Sequence, residues 1–185
     1  MAAGFATIGH SSRSVAEVVA MLRAARIGLL VDVRAFPRSR GNPGFNLDSF
    51  PADLAQAGIG YLHRPALGGR RPRQPVPPEV NALWRVQGFH NYADYALGPQ
   101  FHAALAELLA LGARQRLALM CSEAVWWRCH RRIIADYLLA AGHAVTHLMA
   151  PGQSEPARLT QGAVPGAEGC ITYPAPGLAA ARTGD

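Results

Sequence analysis

The chain has 185 residues, of which 50% are hydrophobic, and its formal net charge is +6. This length is typical of one domain with a sizeable core, and no run approaches the roughly 18 apolar residues that a membrane-spanning helix needs. All 18 basic residues are arginine, which excludes mechanisms that need a lysine, such as Schiff-base chemistry or a lysine-containing phosphate loop.

The amino-terminal part of the chain predicts a strand, a helix and a second strand. Residues 5–8 are an apolar run typical of a buried strand. Ser14 and Glu17 have the spacing of a capping box, which opens an amphipathic helix. Residues 29–34 form the second apolar strand, unbroken as in strands buried on both faces. Such a unit implies parallel strands joined by a right-handed crossover.

The rest of the chain continues this alternation of helices and strands. The predicted elements are a helix over 47–57, a strand over 59–62, a helical turn over 89–95, a helix over 101–111, a strand from Leu117, a helix carrying Ile133 and Tyr137, and a strand over 144–149. The loops over 36–46 and 66–78 are rich in proline, glycine and arginine, which favours surface loops or lids over domain linkers.

These elements predict an α/β fold: a single three-layer domain with an open, mostly parallel sheet and helices on both faces. The domain is expected over residues 1–174, and residues 175–185 are expected to be a flexible C-terminal tail. Beyond Ala150 the composition shifts to proline, glycine and alanine, and only residues 170–173 have the pattern of an ordered segment, which we interpret as an edge strand.

Polar side chains follow four of the predicted strands, at the point where each strand ends. The residues concerned are His10 and Ser11 after the first strand, Asp32 and Arg34 at the end of the second, His63 and Arg64 after the third, and Cys121, Ser122 and Glu123 at the end of the fourth. In open α/β sheets the ligand crevice lies outside the carboxyl ends of the strands. The sequence therefore predicts one functional pocket at this edge.

The candidate catalytic residues are Cys121, Glu123, Cys129 and His130. Cys129 is predicted to begin a helix, where the helix dipole and neighbouring arginines favour a thiolate, and helical spacing turns Cys129 and His130 inward. Cys121 is either a reactive thiol or a buried small hydrophobic residue. Glu123 is either a general acid or base or an anchor for an arginine such as Arg131.

The candidate anion-binding residues are His10, Ser11, Arg34, Arg38 and Arg131, with Asp32 in a supporting role. Arginine forks bind phosphates and carboxylates bidentately, and ten of the 18 arginines fall into three groups. These groups are Arg34, Arg38 and Arg40, then Arg64, Arg70, Arg71 and Arg73, and finally Arg128, Arg131 and Arg132. Asp32 and Arg34 either form a structural ion pair, or Arg34 faces the ligand while Asp32 fixes a histidine or an arginine.

Two further interpretations of the same residues remain open, and a third does not fit the spacing. Cys121, Glu123, Cys129 and His130, with His10 or His147, offer metal ligands, but their spacing matches no common zinc module, so we assign no residue to a metal. A disulfide between Cys121 and Cys129 would indicate a redox role. The cysteine phosphatase spacing of a cysteine and an arginine separated by five residues is not present, because Arg128 follows Cys121 by seven positions.

The chain resembles the bacterial and archaeal family catalogued as domain of unknown function 488. The matching residues are Thr7-Ile8-Gly9-His10-Ser11, Val31-Asp32-Val33-Arg34 followed by Pro37-Arg38-Ser39, Leu67-Gly68-Gly69, and Cys121-Ser122-Glu123 through Cys129-His130-Arg131-Arg132. The resemblance extends to about Tyr173, with one departure at Ala157, where the family pattern has a histidine. It implies a compact α/β domain in the cytoplasm and supplies no activity.

We expect an enzyme, a hydrolase or transferase with cysteine and histidine chemistry, that acts on an anionic ligand such as a nucleotide, a nucleic-acid fragment or a phosphorylated metabolite. The alternatives are a metal-dependent site and a nucleic-acid-binding module without catalysis, the latter using the positive charge and aromatic residues. These aromatic residues are Phe89, Tyr92, Tyr95, Trp126 and Trp127. Three scattered cysteines and the absence of a signal-peptide pattern favour a reducing cytoplasm over secretion or a membrane.

Overall fold

Five parallel strands and one antiparallel strand form the central sheet in the computed structural model, which describes residues 4–177. The strands are β1 (Phe5–Gly9), β2 (Leu29–Asp32), β3 (Gly60–His63), β4 (Leu117–Cys121), β5 (Val145–Ala150) and β6 (Gln153–Pro156). Their order across the sheet is β3-β2-β4-β1-β5-β6, and only β6 runs antiparallel to its neighbour. The predicted α/β class and the mostly parallel sheet are confirmed.

Five helices cover the two faces of this sheet. They are α1 (Val15–Ala24), α2 (Phe50–Gln56), α3 (Gln87–Ala96), α4 (Pro99–Gly112) and α5 (Arg131–Ala140). The predicted capping box at the start of α1 is confirmed, because the Ser14 hydroxyl accepts from the Glu17 backbone and the Glu17 carboxylate accepts from Ser14. The helical turn predicted over 89–95 is longer than expected and forms the ten-residue helix α3.

Alternate residues of each strand enter two hydrophobic cores, one on each face of the sheet. Ile8, Leu30 and Met120 pack with Val18 of α1 and Leu54 of α2 in one core. The other core joins the opposite strand positions to α3, α4 and α5, and its strand members include Phe5, Val31 and Leu119. The chain therefore forms the three predicted layers, and the continuous apolar runs reflect burial on both faces.

The structure after Ala150 differs from the expectation for this part of the chain. Residues 153–156, for which no element was predicted, form β6 against β5. Residues 170–173 do not lie at the edge of the main sheet, because β7 (Val164–Pro165) and β8 (Ile171–Thr172) pair as a separate two-stranded sheet. Of the predicted tail, residues 178–185 lie outside the described part of the chain. Within residues 4–177 no helix has the length and apolar character needed to cross a membrane.

The strand register brings the carboxyl ends of β1 to β4 to one edge of the sheet. Gly9 lies opposite Cys121, and Asp32 lies opposite both Met120 and His63. The pairing of β1 and β4 continues past the strands, since the His10 backbone N–H donates to the Cys121 carbonyl at 3.0 Å. Residues that follow different strands therefore become neighbours.

A close backbone approach at this edge requires glycine at position 9. A Cβ atom on Gly9 would lie 1.7 Å from the carbonyl oxygen of Glu123, in the loop that follows β4. That loop is held by backbone hydrogen bonds, including one from the Ser11 N–H to the Ser122 carbonyl at 2.9 Å. A side chain at position 9 would force β1 and this loop apart.

We expect Gly9→Ala to lower the free energy of unfolding by about 3 kcal/mol or more, because a backbone atom in a packed region cannot move aside. Urea denaturation at neutral pH measures this change. Gly41→Ala is the matched control, since a Cβ atom there meets nothing within 4 Å, and its effect should stay within about 0.5 kcal/mol. Equal effects of the two substitutions would contradict the proposed clash.

Candidate active site at the carboxyl edge of the sheet

A cavity of about 580 Å³ opens at the carboxyl ends of the strands. Seven of the ten predicted site residues line it, namely His10, Arg34, Arg38, Cys121, Glu123, Cys129 and His130. The other three, Ser11, Asp32 and Arg131, are not among the lining residues. The predicted convergence of strand ends thus brings most of the candidate residues around one space, while three of them lie beside or beneath it.

Three of the lining residues form a compact group that we call the thiol cluster: Cys121, Cys129 and His130. Their sulfur and ring nitrogen atoms all lie within 4.8 Å of one another, and both cysteines are free thiols. The expectation that Cys129 begins a helix is wrong by two residues. Its backbone is extended, with φ −129° and ψ 146°, and α5 begins at Arg131.

Arg131 is the nearest charged group to the Cys129 sulfur. Its Nε donates to Cys129 Sγ at 3.2 Å, and its Nη2 donates to the Glu123 carbonyl at 2.6 Å. The side chain is 1% exposed, and no ion pair of the described residues includes it. A buried guanidinium needs an anionic partner to offset its lost hydration. The Cys129 thiolate is therefore its counter-charge.

The electrostatic surroundings make Cys129 the more acidic of the two thiols. Burial by itself would raise the pKa of Cys129, but the hydrogen bond from the Cys121 thiol, the charge of Arg131 and the hydrogen bonds from Arg131 lower that pKa to about 6. The pKa of Cys121 is raised, first because its thiol donates to Cys129 and second because it is buried. The pair therefore shares one negative charge, which resides on Cys129.

His130 lies beside this thiolate with its ring orientation set by the backbone. Its Nε2 is 3.2 Å from the Val33 carbonyl, and its Nδ1 is 3.5 Å from Cys129 Sγ. Because a carbonyl only accepts, the hydrogen-bond network assigns a proton to Nε2. Gly69 packs against the ring so closely that a Cβ there would lie 2.4 Å from Nδ1, and Tyr92 contacts the ring edge-on at 5.0 Å.

Glu123 anchors Arg131 through its backbone carbonyl and not through its carboxylate. The backbone carbonyl accepts the Arg131 hydrogen bond, whereas the side chain is exposed and lines the cavity. The Glu123 carboxylate is thereby left available for proton transfer at the cavity surface. Arg131, which was predicted to bind an anionic ligand, instead lies beneath the cavity with its guanidinium directed at the thiolate.

Asp32 holds Arg34 in a fixed orientation at the other side of the cavity. Its Oδ1 accepts from Arg34 Nε at 2.9 Å, and its Oδ2 accepts from Arg34 Nη2 at 2.6 Å. The Tyr61 hydroxyl also donates to Oδ2, at 2.7 Å. Asp32 is fully buried and Arg34 is 5% exposed, so this bidentate pair is rigid and shielded from solvent. The pair fixes an arginine at the cavity wall.

His10 is a neutral side chain that orients Arg34. Burial, opposed by its hydrogen bond to the Ser11 carbonyl, lowers the pKa of His10, and the charge of Arg34 lowers it further. Its Nδ1 lies 3.0 Å from the Ser11 carbonyl and its Nε2 lies 3.3 Å from Arg34 Nη1, so Nδ1 carries the proton and Nε2 accepts. The ring is stacked on Phe45 at 4.5 Å. His10 is therefore uncharged, and it would not attract an anionic ligand as a cation does.

The cavity opening contains Arg38 together with four residues that were not among the predicted site residues. We call Phe36, Arg38, Arg70, Val86 and Arg128 the rim; all line the cavity and all are exposed. Arg70 and Arg128 belong to the arginine groups found in the sequence, and this grouping could have identified them as site residues. Phe36 and Val86 had no such signal. Arg34, Arg38, Arg70 and Arg128 are the lining arginines and Glu123 is the lining acid, so the cavity is positively charged.

Most of the aromatic residues considered for nucleic-acid binding serve other purposes. Tyr92 and Tyr95 are buried and donate to the carbonyls of Leu67 and Ala66. Trp126 is stacked on His147 at 4.5 Å, and His147 is hydrogen-bonded to Thr7. His147 therefore packs between Trp126 and Thr7, and it is not one of the clustered metal-ligand candidates among the described residues.

Comparison with known proteins yields one match. A protein-family model described as domain of unknown function DUF488 matches residues 14–138, about two thirds of the chain. This range contains every cavity-lining residue except His10. No curated protein and no solved structure matches the chain.

We expect Cys129 to react with iodoacetamide at a rate that rises with pH and reaches half its maximum near pH 6, because only the thiolate is nucleophilic. Cys121→Ala removes the hydrogen-bond donor and should move this midpoint upward, whereas Cys121→Ser keeps an O–H donor and should move it less. Peptide mass spectrometry across pH 5–9 measures each rate, with Cys170 as the internal reference. A wild-type midpoint near 8.5, the value of an ordinary thiol, would contradict the assignment.

Proposed function

This chain belongs to the family described as domain of unknown function DUF488, and we propose that it is an enzyme in which the Cys129 thiolate acts on an anionic ligand. The observation that carries the proposal is the hydrogen bond to Cys129 Sγ from a buried Arg131 that pairs with no carboxylate among residues 4–177. A thiolate stabilised in this way, at the wall of a cavity lined by arginines, is typical of nucleophilic catalysis.

Arg34 and the rim arginines would hold the anion. Arg34 has five N–H donors, and Asp32, Phe45 and His10 engage its Nε, its Nη2 and one hydrogen of Nη1. The second Nη1 hydrogen has no partner among the described residues, and in this proposal it binds the ligand. Arg38, Arg70 and Arg128 add exposed guanidinium groups at the opening, and a cavity of one charge sign attracts ligands of the opposite sign.

The chemistry that we propose is nucleophilic displacement. The Cys129 thiolate forms a bond to an electrophilic carbon or phosphorus of the ligand, and the bond to the leaving group breaks. The leaving group takes a proton from the protonated form of Glu123 or from a protonated Nδ1 of His130. Water or a second substrate then releases the covalent intermediate, and the same acid returns as a base to accept the proton. Water as acceptor gives a hydrolase and a second substrate gives a transferase.

A metal-dependent site is a second candidate, because the thiol cluster brings three metal-ligating atoms within 4.8 Å at the wall of the cavity. Two thiolates and one imidazole with an open fourth position are a ligand set of catalytic zinc sites. The two candidates exclude each other, since a thiolate bound to a metal is not a free nucleophile. Arg131 favours the metal-free alternative, because its positive charge lies against the sulfur that would bind the cation.

We place the protein in the cytoplasm. All three cysteines are free thiols in the described structure, and a site built on a thiolate keeps its chemistry in a reducing compartment. Its ligand in this proposal is an anionic small molecule or a nucleic acid, and no membrane takes part.

We expect pyrophosphate to slow the alkylation of Cys129 at pH 7, because an anion bound by the arginines would cover the sulfur. The alkylation rate is measured with increasing pyrophosphate at constant ionic strength, with sodium chloride as the reference salt. Arg128→Gln should weaken this protection several-fold. Arg23→Gln removes the same charge from the exposed last turn of α1 and should leave it unchanged. Equal protection by sodium chloride would contradict a specific anion site.

We expect the purified protein to contain far less than one equivalent of zinc per chain when chelators are omitted throughout. Elemental analysis by mass spectrometry measures the content directly. One equivalent of zinc that survives buffer exchange, disappears in Cys129→Ser and persists in Cys170→Ser would replace the thiolate proposal with the metal-dependent one. Cys170 is a suitable control because it lies outside the cavity lining.

A further inference from the structure

The two most exposed large hydrophobic side chains of residues 4–177 both belong to the rim of the cavity. Phe36 is 69% exposed and Val86 is 62% exposed, whereas the next values are 46% for Trp127 and 41% for Leu47. A single exposed apolar residue needs no explanation, but apolar residues grouped around an opening indicate a ligand that covers them. The ligand therefore has an apolar part as well as a charged one.

A further aromatic side chain, Phe89, lines the same cavity and is supported from behind. Its ring is stacked on Trp84 with centroids 5.2 Å apart and an interplanar angle of 23°. Trp84 is itself buried and carries the Arg132 guanidinium over its ring at 5.1 Å. Phe89 is thus an aromatic side chain of the cavity lining whose ring is held by a second, buried ring. Stacked rings of this kind favour a flat ligand.

A cationic group of the rim lies close to one of these aromatic side chains. The Arg70 guanidinium is 5.9 Å from the centre of the Phe36 ring, and Arg38 pairs at 3.3 Å with Asp48, which is exposed. A guanidinium group such as that of Arg70 or Arg38 binds phosphate bidentately and also stacks on planar rings. The cavity therefore offers aromatic surfaces and phosphate-binding groups together, within a volume of about 580 Å³ that is usual for small-molecule sites.

We propose that the ligand is a nucleoside phosphate, with its base against Phe36 and Phe89 and its phosphate on the arginines. This inference rests on the proposed function and names the ligand class of that same site. An inorganic anion or a sugar phosphate would satisfy the arginines but would leave Phe36 and Val86 uncovered. A free nucleotide and the phosphorylated end of a nucleic-acid strand share this chemistry.

Isothermal titration calorimetry tests the proposal with the full chain and defined ligands. The titrants are adenosine, guanosine, cytidine and uridine 5′-monophosphates, with ribose 5-phosphate as the compound that lacks a base. We expect the tightest nucleotide to bind at least about fivefold more strongly than ribose 5-phosphate, because base stacking on an aromatic side chain contributes that much or more. Phe36→Ala should remove this advantage while leaving the binding of ribose 5-phosphate unchanged.

Leu159→Ala is the matched control, since Leu159 is also an exposed large hydrophobic residue, at 40%, and does not line the cavity. It should keep the preference for nucleotides.

Titration with a short 5′-phosphorylated oligonucleotide distinguishes a free nucleotide from the phosphorylated end of a nucleic-acid strand as the ligand. Tighter, steeply salt-dependent binding indicates a strand end, and binding equal to that of the mononucleotide indicates a free nucleotide.

Equal binding of ribose 5-phosphate and all four nucleotides would overturn the nucleoside phosphate proposal and leave the anion site intact. The same holds if Phe36→Ala and Leu159→Ala behave alike. If neither ribose 5-phosphate nor any nucleotide binds, and pyrophosphate also fails to protect Cys129 from alkylation, the proposed function fails together with this inference.

Discussion

The burial of Arg131 is the interaction on which the rest of the site depends. A guanidinium that is 1% exposed is tolerated only where a negative charge and hydrogen-bond acceptors replace the lost water. The Cys129 sulfur and the Glu123 carbonyl supply these. Because Glu123 and Cys129 lie in the connection between β4 and α5, the same contacts fix that connection and hold the sulfur at the cavity wall.

Two glycines make the close packing of this region feasible. Gly9 lets the end of β1 pass against the Glu123 carbonyl, and Gly69 lets a distant loop pack on the His130 ring. His130 is in turn held by the Val33 carbonyl after β2. Chain segments that follow three different strands therefore meet around the thiol cluster, and any side chain at either glycine would separate them.

The two buried arginines of the site differ in their counter-charges and hence in what they can do. Arg34 is held by Asp32 in a buried bidentate ion pair, so it is a rigid part of the cavity wall. Arg131 is neutralised by a thiolate, so any reaction that consumes the negative charge of Cys129 leaves Arg131 uncompensated. This coupling favours return of the thiolate at the end of a reaction cycle, which is what a nucleophilic catalyst requires.

The sequence by itself determined the fold class and the edge at which the site lies. Apolar runs and a capping box are local signals, and parallel strands necessarily bring their carboxyl ends to one edge, so seven of the ten predicted site residues line one cavity. The sequence did not predict strand β6, because this strand pairs with β5 through backbone hydrogen bonds, which leave no pattern in the side chains. Only the tertiary structure decided that Arg131 faces the thiolate while Arg70 and Arg128 reach the opening. It also decided that Glu123 anchors Arg131 through its backbone and that Phe36 stands exposed at the rim. Each of these roles depends on which groups are buried and which partners they contact. Burial and partners are determined by contacts between residues far apart in the sequence, such as Val33 and His130.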